Sequence, residues 1–350
     1  MNSLREQQHL PVERPSADHV LTAPSLVIDA RGVHKRFGGP PVLANLSVQV
    51  RAGEIFGLIG PSGSGKTTAI HLCCGHLRPS AGSIEVLGEQ PSSFTAATRR
   101  RIGYMPQNFI LYPDLTIKQN IAFAAGLYGL NEWSHRTQIQ ATLELVELWE
   151  ARSRTARAIS GGMQRRLALA AALIHAPDLL FADEPTANLD PILRAKLWRH
   201  FRSLCEHGRT LVITTQYIDE AEYCDRVGLM FDGALIADGR PEALRRDAFG
   251  GDMINVLLVQ PAAEAVDTLK QMPTVVGVEV LHQHGVRITV AEAAQTIPVL
   301  LDVLEAAGLS VRSITQERPT FDEVFIRLIE QHSGTRPPLG RIQTSAAGEW

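Results

Sequence analysis

The sequence is poor in the features that mark an extracellular scaffold or a membrane-spanning chain. Its 350 residues hold four cysteines, Cys73, Cys74, Cys205 and Cys224, with no C-x-x-C pair. Cys73 and Cys74 are adjacent on a predicted helix and point to different sides. Disulfides and structural zinc are therefore not expected, and a reducing cytosol fits. Long apolar runs are also missing. The most apolar stretch, 167–182, is interrupted by His175, Pro177 and Asp178, too polar to cross a bilayer. Any work at a membrane then needs another chain for the membrane part. The first residues, including Arg5, Glu6, Gln7 and Gln8, lack the apolar core of a secretory signal. Excess charge is absent too: 34 Lys and Arg against 37 Asp and Glu leave a net −3. That balance argues against a chain held on nucleic acid by phosphate contacts, and no nucleic-acid partner is expected. What remains is an ordinary globular composition with room for one large domain and a small one.

Against this background one motif stands out. Gly60-Pro61-Ser62-Gly63-Ser64-Gly65-Lys66-Thr67-Thr68 is a complete G-x-x-x-x-G-K-[ST] phosphate loop. Residues 54–59 before it read as a buried strand, and a helix begins at Thr68, which is the context the motif needs. Glycines let successive backbone N–H groups turn toward one anion. The helix N-terminus adds partial positive charge. Lys66 is placed to reach the β- and γ-phosphates, and the Thr67 hydroxyl to bind Mg²⁺. This predicts binding of a nucleoside triphosphate without saying what the energy is used for.

The rest of the chain reads as α/β. Residues 1–24 are polar and proline-containing and are expected to be a disordered tail. Strands are expected at Ser25–Ala30, Val42–Val50, Leu179–Ala182 and Thr210–Thr214. Helices are expected at Gly161–His175 and Ile192–His207, with a helical region of about 108–165 between the loop and the later strands. This alternation implies a mainly parallel sheet over 25–250. From 251 to 330 the order changes to β-α-β-β-α-β, with helices expected at Ala262–Met272 and Ala294–Ala307. It suggests a small, ferredoxin-like α+β accessory domain. A closing helix is expected at Thr320–Ile329, and 331–350 as a second disordered tail.

Two further segments carry chemistry. Leu180-Phe181-Ala182-Asp183-Glu184 is an apolar strand ending in two carboxylates. Asp183 suits Mg²⁺, directly or through water, and Glu184 suits polarisation of an attacking water. Ser160-Gly161-Gly162-Met163-Gln164 opens a helix and forms a second candidate anion site. Two such sites cannot serve one γ-phosphate from the same side, so the simple resolution is that Ser160 serves another copy's nucleotide.

Taken together the motifs resemble the ATP-binding-cassette (ABC) ATPases over roughly 25–245, in the order Gly60–Thr68, Gln107, Ser160–Gln164, Asp183–Glu184 and Asn188-Leu189-Asp190. The resemblance implies a P-loop NTPase fold with ATP and Mg²⁺ as cofactors. It implies that Phe37 stacks on adenine, that Gln107 senses Mg²⁺ and the γ-phosphate, that Ser160, Gly161 and Gly162 cover the opposite protomer's γ-phosphate, and that Asp190 lies across a dimer interface. The family usually has a histidine where this chain has Gln216. An amide can donate to a γ-phosphate oxygen but cannot carry charge. Slower turnover, adequate substitution and control by a partner all stay open there.

A narrower resemblance rests on Met163, Gln216, the run Asp219-Glu220-Ala221-Glu222 and Pro319-Thr320-Phe321-Asp322-Glu323-Val324-Phe325. These look like exporter ATPases of the daunorubicin-resistance type. That implies a separate ATPase chain, homodimeric or pseudo-dimeric, working on integral-membrane permeases at the cytoplasmic face of the membrane, for efflux of a drug, lipid or other amphiphile. The apolar segment 108–116 (Phe109, Ile110, Leu111, Tyr112, Leu115) either contacts the permeases or packs into the helical region. The alternatives are a low-turnover regulatory subunit and a soluble ABC protein acting on ribosomes or nucleic acid.

Overall fold

A computed structural model describes residues 25–108, 111–130 and 135–333. The tail expected at 1–24, most of that at 331–350, and Phe109 and Ile110 lie outside the described residues. In chain order the elements are β1 (Leu26–Arg36), β2 (Pro41–Arg51), β3 (Ile55–Ile59), α1 (Lys66–Cys73), β4 (Ala81–Val86), α2 (Ala96–Arg100) and β5 (Ile102–Met105). Then come α3 (Ile117–Leu127), α4 (Arg136–Leu145), α5 (Gly161–Leu173), β6 (Leu179–Asp183), α6 (Pro191–Glu206), β7 (Thr210–Thr215), β8 (Arg226–Phe231), β9 (Ala234–Gly239) and α7 (Pro241–Phe249). The last are β10 (Asp252–Leu258), α8 (Val266–Lys270), β11 (Val275–His282), β12 (Gly285–Val290), α9 (Ala293–Ala306), β13 (Val311–Glu317) and α10 (Phe321–Ser333).

These residues form two compact units, one of 25–33, 47–55 and 67–214, the other of 34–46, 56–66 and 215–333. In the first unit β5, β6 and β7 pair in parallel, Phe181 opposite both Tyr104 and Val212. Every residue of β6 and β7 is buried, the near-continuous apolar run of a parallel sheet covered on both faces. Helices α2, α3, α5 and α6 start where the sequence supplies caps. The Thr95 hydroxyl accepts from Thr98 N for α2, and Thr116 and Gln119 form a reciprocal capping box for α3. Ser160 caps α5, and Asp190 caps α6 with Pro191 in the first turn.

The second unit holds β3 and β8 in parallel, with β9 antiparallel to β8. It also holds the expected β-α-β-β-α-β domain. Its strand order is β11-β12-β10-β13, every pair antiparallel, which is the ferredoxin-like arrangement. One face is a dry core: Ile254, Val256 and Leu258 of β10 alternate inward against Val286, Ile288 and Val290, beneath Leu300 and Leu304 of α9. The helix expected at Ala262–Met272 resolves as a 3₁₀ turn, Ala262–Ala265, continued by α8 and confined between Pro261 and Pro273. The closing helix runs to Ser333, past its expected end, because Glu330, Gln331 and His332 continue it and Gln331 donates to Ala248 O (3.1 Å).

Candidate nucleotide site

The phosphate loop leaves β3 and enters α1, whose first residue is Lys66 rather than the expected Thr68. Two of its glycines are sterically required. Gly65 has φ +101°, and a Cβ there would sit 2.6 Å from Leu43 Cδ2 and 2.9 Å from Val42 O. A Cβ on Gly60 would collide with the Met230 carbonyl. Ser62 and Gly63 form the exposed rim, while Pro61, Ser64 and Gly65 are buried. The Lys66 ammonium is 4% exposed and donates to Gly60 O (2.7 Å) and Pro61 O (2.9 Å). Ser64 Oγ is buried with no hydrogen-bond partner. A buried cation among carbonyls beside an unsatisfied hydroxyl is a cradle that fits phosphate oxygens.

The Gly60 N–H donates to Thr215 O (3.2 Å), so the loop's first residue is tied to the one before Gln216. Gln216 itself is half-buried. Phe37 is 58% exposed, and the Lys35 ammonium lies 4.9 Å from its ring centroid. An aromatic face held open to solvent is available for stacking.

Thr67 and Thr68, next on α1, belong to the first unit. The Thr67 hydroxyl donates to Asp183 Oδ1 (3.2 Å), and so does that of Thr214 (2.5 Å). Asp183 is fully buried, and its Oδ2 has no partner. That bare carboxylate oxygen, beside a threonine hydroxyl, is an all-oxygen set fitting Mg²⁺, which keeps waters and phosphate oxygens as its other ligands. No group of three or more His, Cys, Asp or Glu side chains able to hold a metal occurs among the described residues. Protein ligands alone therefore do not close a cage.

Glu184 is 8% exposed, with φ +48°. A non-glycine residue in the left-handed region is strained, and such strain concentrates at functional sites. It is held by Thr214, whose hydroxyl (3.0 Å) and carbonyl (3.1 Å) oxygens both accept from Glu184 N–H. Gln107 Nε2 donates to Glu184 Oε2 (3.0 Å). A guanidinium N–H of Arg165, on α5, donates to Gln107 O. Burial pulls the Arg165 guanidinium below its ordinary pKa, while Glu184 and Asp183 oppose that shift. Gln107 and Glu184 are thus brought together, and Thr214 ties Glu184 to Asp183.

Ser160 and Gly161 stand exposed at the start of the 13-residue α5, the Ser160 hydroxyl accepting from Met163 N (3.3 Å). Gly162 packs beside Leu189, 3.4 Å from its Cδ2 to an added Cβ. Asp190 is exposed at the start of α6 and accepts from Leu193 N (3.0 Å). Both caps face open space within their own unit. Sequence reasoning missed Thr214 and Arg165. The Thr-Thr pair that follows Leu211-Val212-Ile213 at the end of β7 is the signal for the first, since buried hydroxyls need partners. Arg165 is one of two arginines in its helix, and nothing local distinguishes it.

Comparison with known proteins agrees with this geometry. Residues 43–187 match the family model "ABC transporter", and 239–329 match "ATP-binding protein DrrA1-3-like, C-terminal domain". The chain is 42% identical over 219 residues to the probable multidrug ABC transporter ATP-binding protein YbhF of Escherichia coli (strain K12), covering 63% of this chain but only 38% of that one. It is 36% identical over 303 residues to the daunorubicin resistance ATP-binding protein DrrA3 of Streptomyces coeruleorubidus, covering 86% and 95%. Among solved structures, an ATP-binding subunit of an ABC transporter aligns with TM-score 0.58 at 27% identity, over 64% of this chain and 93% of that one. A dimeric ATP-binding cassette bound to ADP and Pi aligns with TM-score 0.57 at 26% identity, over 61% and 98%. With phosphate loop, carboxylate pair and signature helix in place and a relative matched nearly end to end, the chain belongs to the ABC transporter ATP-binding proteins.

Proposed function

We propose that this chain binds and hydrolyses MgATP as the ATPase subunit of an exporter, pairing with a second copy and driving separate membrane permeases that expel a drug, lipid or other amphiphile. The observation that carries the reading is that Ser64 Oγ, on the phosphate loop, and Asp183 Oδ2, at the end of β6, are among the buried polar atoms left without partners. Such atoms are costly unless a ligand completes them. Lys66 and the loop N–H groups bind the phosphates, and Phe37 stacks on the base. Thr67, Asp183 and Gln107 hold Mg²⁺, which when bound neutralises charge on the β- and γ-phosphates. Glu184 takes the proton of the attacking water, once Gln107 releases the carboxylate oxygen it now occupies. Gln216 donates a neutral hydrogen bond to the γ-phosphate or the water. Ser160, Gly161, Gly162 and Asp190 act on the partner copy's nucleotide, which the exposure of Ser160, Gly161 and Asp190 supports.

Permease contact is supported by an apolar cavity of about 410 Å³ in the first unit, lined among others by Tyr104, Pro106, Leu111, Leu127 and Tyr128. Beside it Tyr112 and Phe123 are exposed and meet edge to face at 4.7 Å. None of the described helices is long and apolar enough to cross a membrane. On the exporter reading the chain works peripherally, at the cytoplasmic face through the permeases.

ATP binding and turnover by the purified chain test this together. Lys66→Ala loses binding by roughly 10–100-fold, the size of a charge-assisted contact. Ser160→Arg keeps nucleotide affinity and abolishes turnover, because the serine acts in trans. Equal loss of affinity in both variants would refute the trans assignment, and unchanged affinity in Lys66→Ala would refute the phosphate site.

A further inference from the structure

Two segments far apart in the sequence, Asp219–Glu222 and Pro319–Phe325, meet at one buried side chain. Arg245, on α7, is 5% exposed. Its guanidinium pairs with Glu222 and with Glu242 (2.9 Å), and its Nε donates to Pro319 O (3.0 Å). It also lies over the Phe321 ring, 4.5 Å from the centroid. Arg318 closes the network, pairing with Glu242 and lying 3.7 Å from Glu222. Glu222 belongs to the 3₁₀ turn Ile218–Tyr223, which begins two residues after Gln216. Pro319 and Phe321 lead into α10, which packs on that turn and on α7, with Thr320 and Glu323 forming its capping box. Ile218 and Ala221 are buried beneath it. The geometry therefore fastens the backbone just after Gln216 to the end of the C-terminal domain, through one planar cation making several directed contacts. A lysine cannot reproduce that fork.

We propose that Arg245 is a positioning residue for Gln216: by clamping the Ile218–Tyr223 turn to Pro319–Phe321, it sets where the Gln216 amide stands, so that the C-terminal domain governs the ATPase step. The proposal rests on the reading that Gln216 acts at the γ-phosphate. Glu222 is the network's residue on the turn that follows Gln216, so its influence on turnover passes through that segment.

The test uses the full chain and two readouts. Single-turnover hydrolysis is measured for Arg245→Ala, Arg245→Lys and Glu222→Gln, each with Gln216 intact and with Gln216→Ala. Hydrogen exchange is measured over residues 216–223. Arg245→Ala and Glu222→Gln are expected to slow hydrolysis by roughly 10–100-fold, the span a small misplacement remote from the chemistry can cost, with the ATP KM unchanged to within about 2-fold. Exchange over 216–223 rises. In the Gln216→Ala background the further loss shrinks to within about 2-fold, because residues acting through one group are not additive. Arg245→Lys recovers little. Glu222→Gln, which removes a charge from a partly exposed side chain without changing its volume, keeps the test sharp should Arg245→Ala misfold. Unchanged exchange in Glu222→Gln would overturn the clamp. Raised exchange with fully additive losses would overturn the proposal while leaving Gln216 its role. A Gln216→Ala chain that hydrolyses ATP normally would refute the role of Gln216 and this proposal with it.

Discussion

Asp183 and Arg287 are both charged side chains on β-strands, and the molecule treats them in opposite ways. Asp183 is fully buried in the first unit, with one carboxylate oxygen satisfied by two threonine hydroxyls and the other by nothing among the described residues. Arg287, on the open face of the ferredoxin-like sheet, is closed off by Glu317 (2.7 and 2.9 Å) and Asn255 (3.3 Å), with Glu279 at 3.5 Å. The sheet of the C-terminal domain satisfies Arg287 with its own residues, whereas Asp183 keeps an open carboxylate oxygen and left-handed backbone follows it at Glu184 and Asn188. Burial without satisfaction is expensive. An open carboxylate oxygen at the end of β6, against the paired Arg287 on its sheet, separates a side chain that awaits a ligand from one that its own strands complete.

The largest expected effect breaks the chemistry without touching the fold. Glu184→Gln keeps the shape of the side chain and its capacity to accept from Gln107 but cannot take a proton. Hydrolysis should slow by roughly 10²–10⁴, the span of a positioned general base, while ATP binding persists and an ATP-bound dimer accumulates. Size-exclusion with ATP and a single-turnover assay read both. Normal turnover would remove Glu184 from its role.

The next does the reverse. Leu300 is fully buried under the sheet of the C-terminal domain. Leu300→Ala removes packing there and should cost about 2–5 kcal/mol of that domain's stability. The effect is read as faster hydrogen exchange over β10 to β13, with nucleotide affinity unaltered. A matching loss of ATP affinity would show that the two regions are not separable as the bonding pattern indicates.

What could be read in the sequence follows the same division. The phosphate loop, Asp183–Glu184 and Ser160–Gln164 are contiguous, so their chemistry is written locally. The ferredoxin-like domain was legible from element order and alternation, because Ile254, Val256 and Leu258 point one way and Asn255 and Leu257 the other. Thr214, Arg165 and Arg245 were not legible. Each has deciding partners far along the chain, and only the fold brings Thr214 to Asp183 or Arg245 to Pro319. The end of α10 was missed because its last turn is polar and held by a tertiary bond to Ala248.

A smaller effect probes Gln216, where the broader resemblance to ABC ATPases implies a histidine. Neutral Gln216 does not titrate, so the pH–rate profile between about 5.5 and 8 should lack a limb from this residue. Gln216→His should add one near the ordinary histidine pKa of about 6.5. Gln216→Ala should lower kcat more than ATP affinity, since one donor among many phosphate contacts adds little to ground-state binding. Identical single-turnover rates for the three would make the departure mechanistically silent.

The smallest effect lies where the C-terminal segment meets the turn after Gln216. Burial, then Asp219, then Glu323 raise the Asp322 carboxyl above its ordinary value of 3.8. Its Oδ1 is buried without a hydrogen-bond partner. A raised folded-state pKa means the folded chain holds this proton more tightly than the unfolded chain does. The stabilisation it contributes is fully present below the unfolded pKa and is lost as pH rises through the folded one. Asp322→Asn cannot titrate and should remove that slope. Both chains carry every other titrating group in common, so the difference between their urea midpoints isolates this one. Asp322→Asn should gain on the parent as pH climbs from the ordinary carboxyl value of 3.8 through the raised folded-state pKa, and then hold a constant lead or deficit. The sign of that plateau depends on how much the charge gains from the N-terminus of α10, where anions are favoured. Parallel midpoint curves across the whole range would mean that the Asp219–Asp322 contact does not tax the folded state.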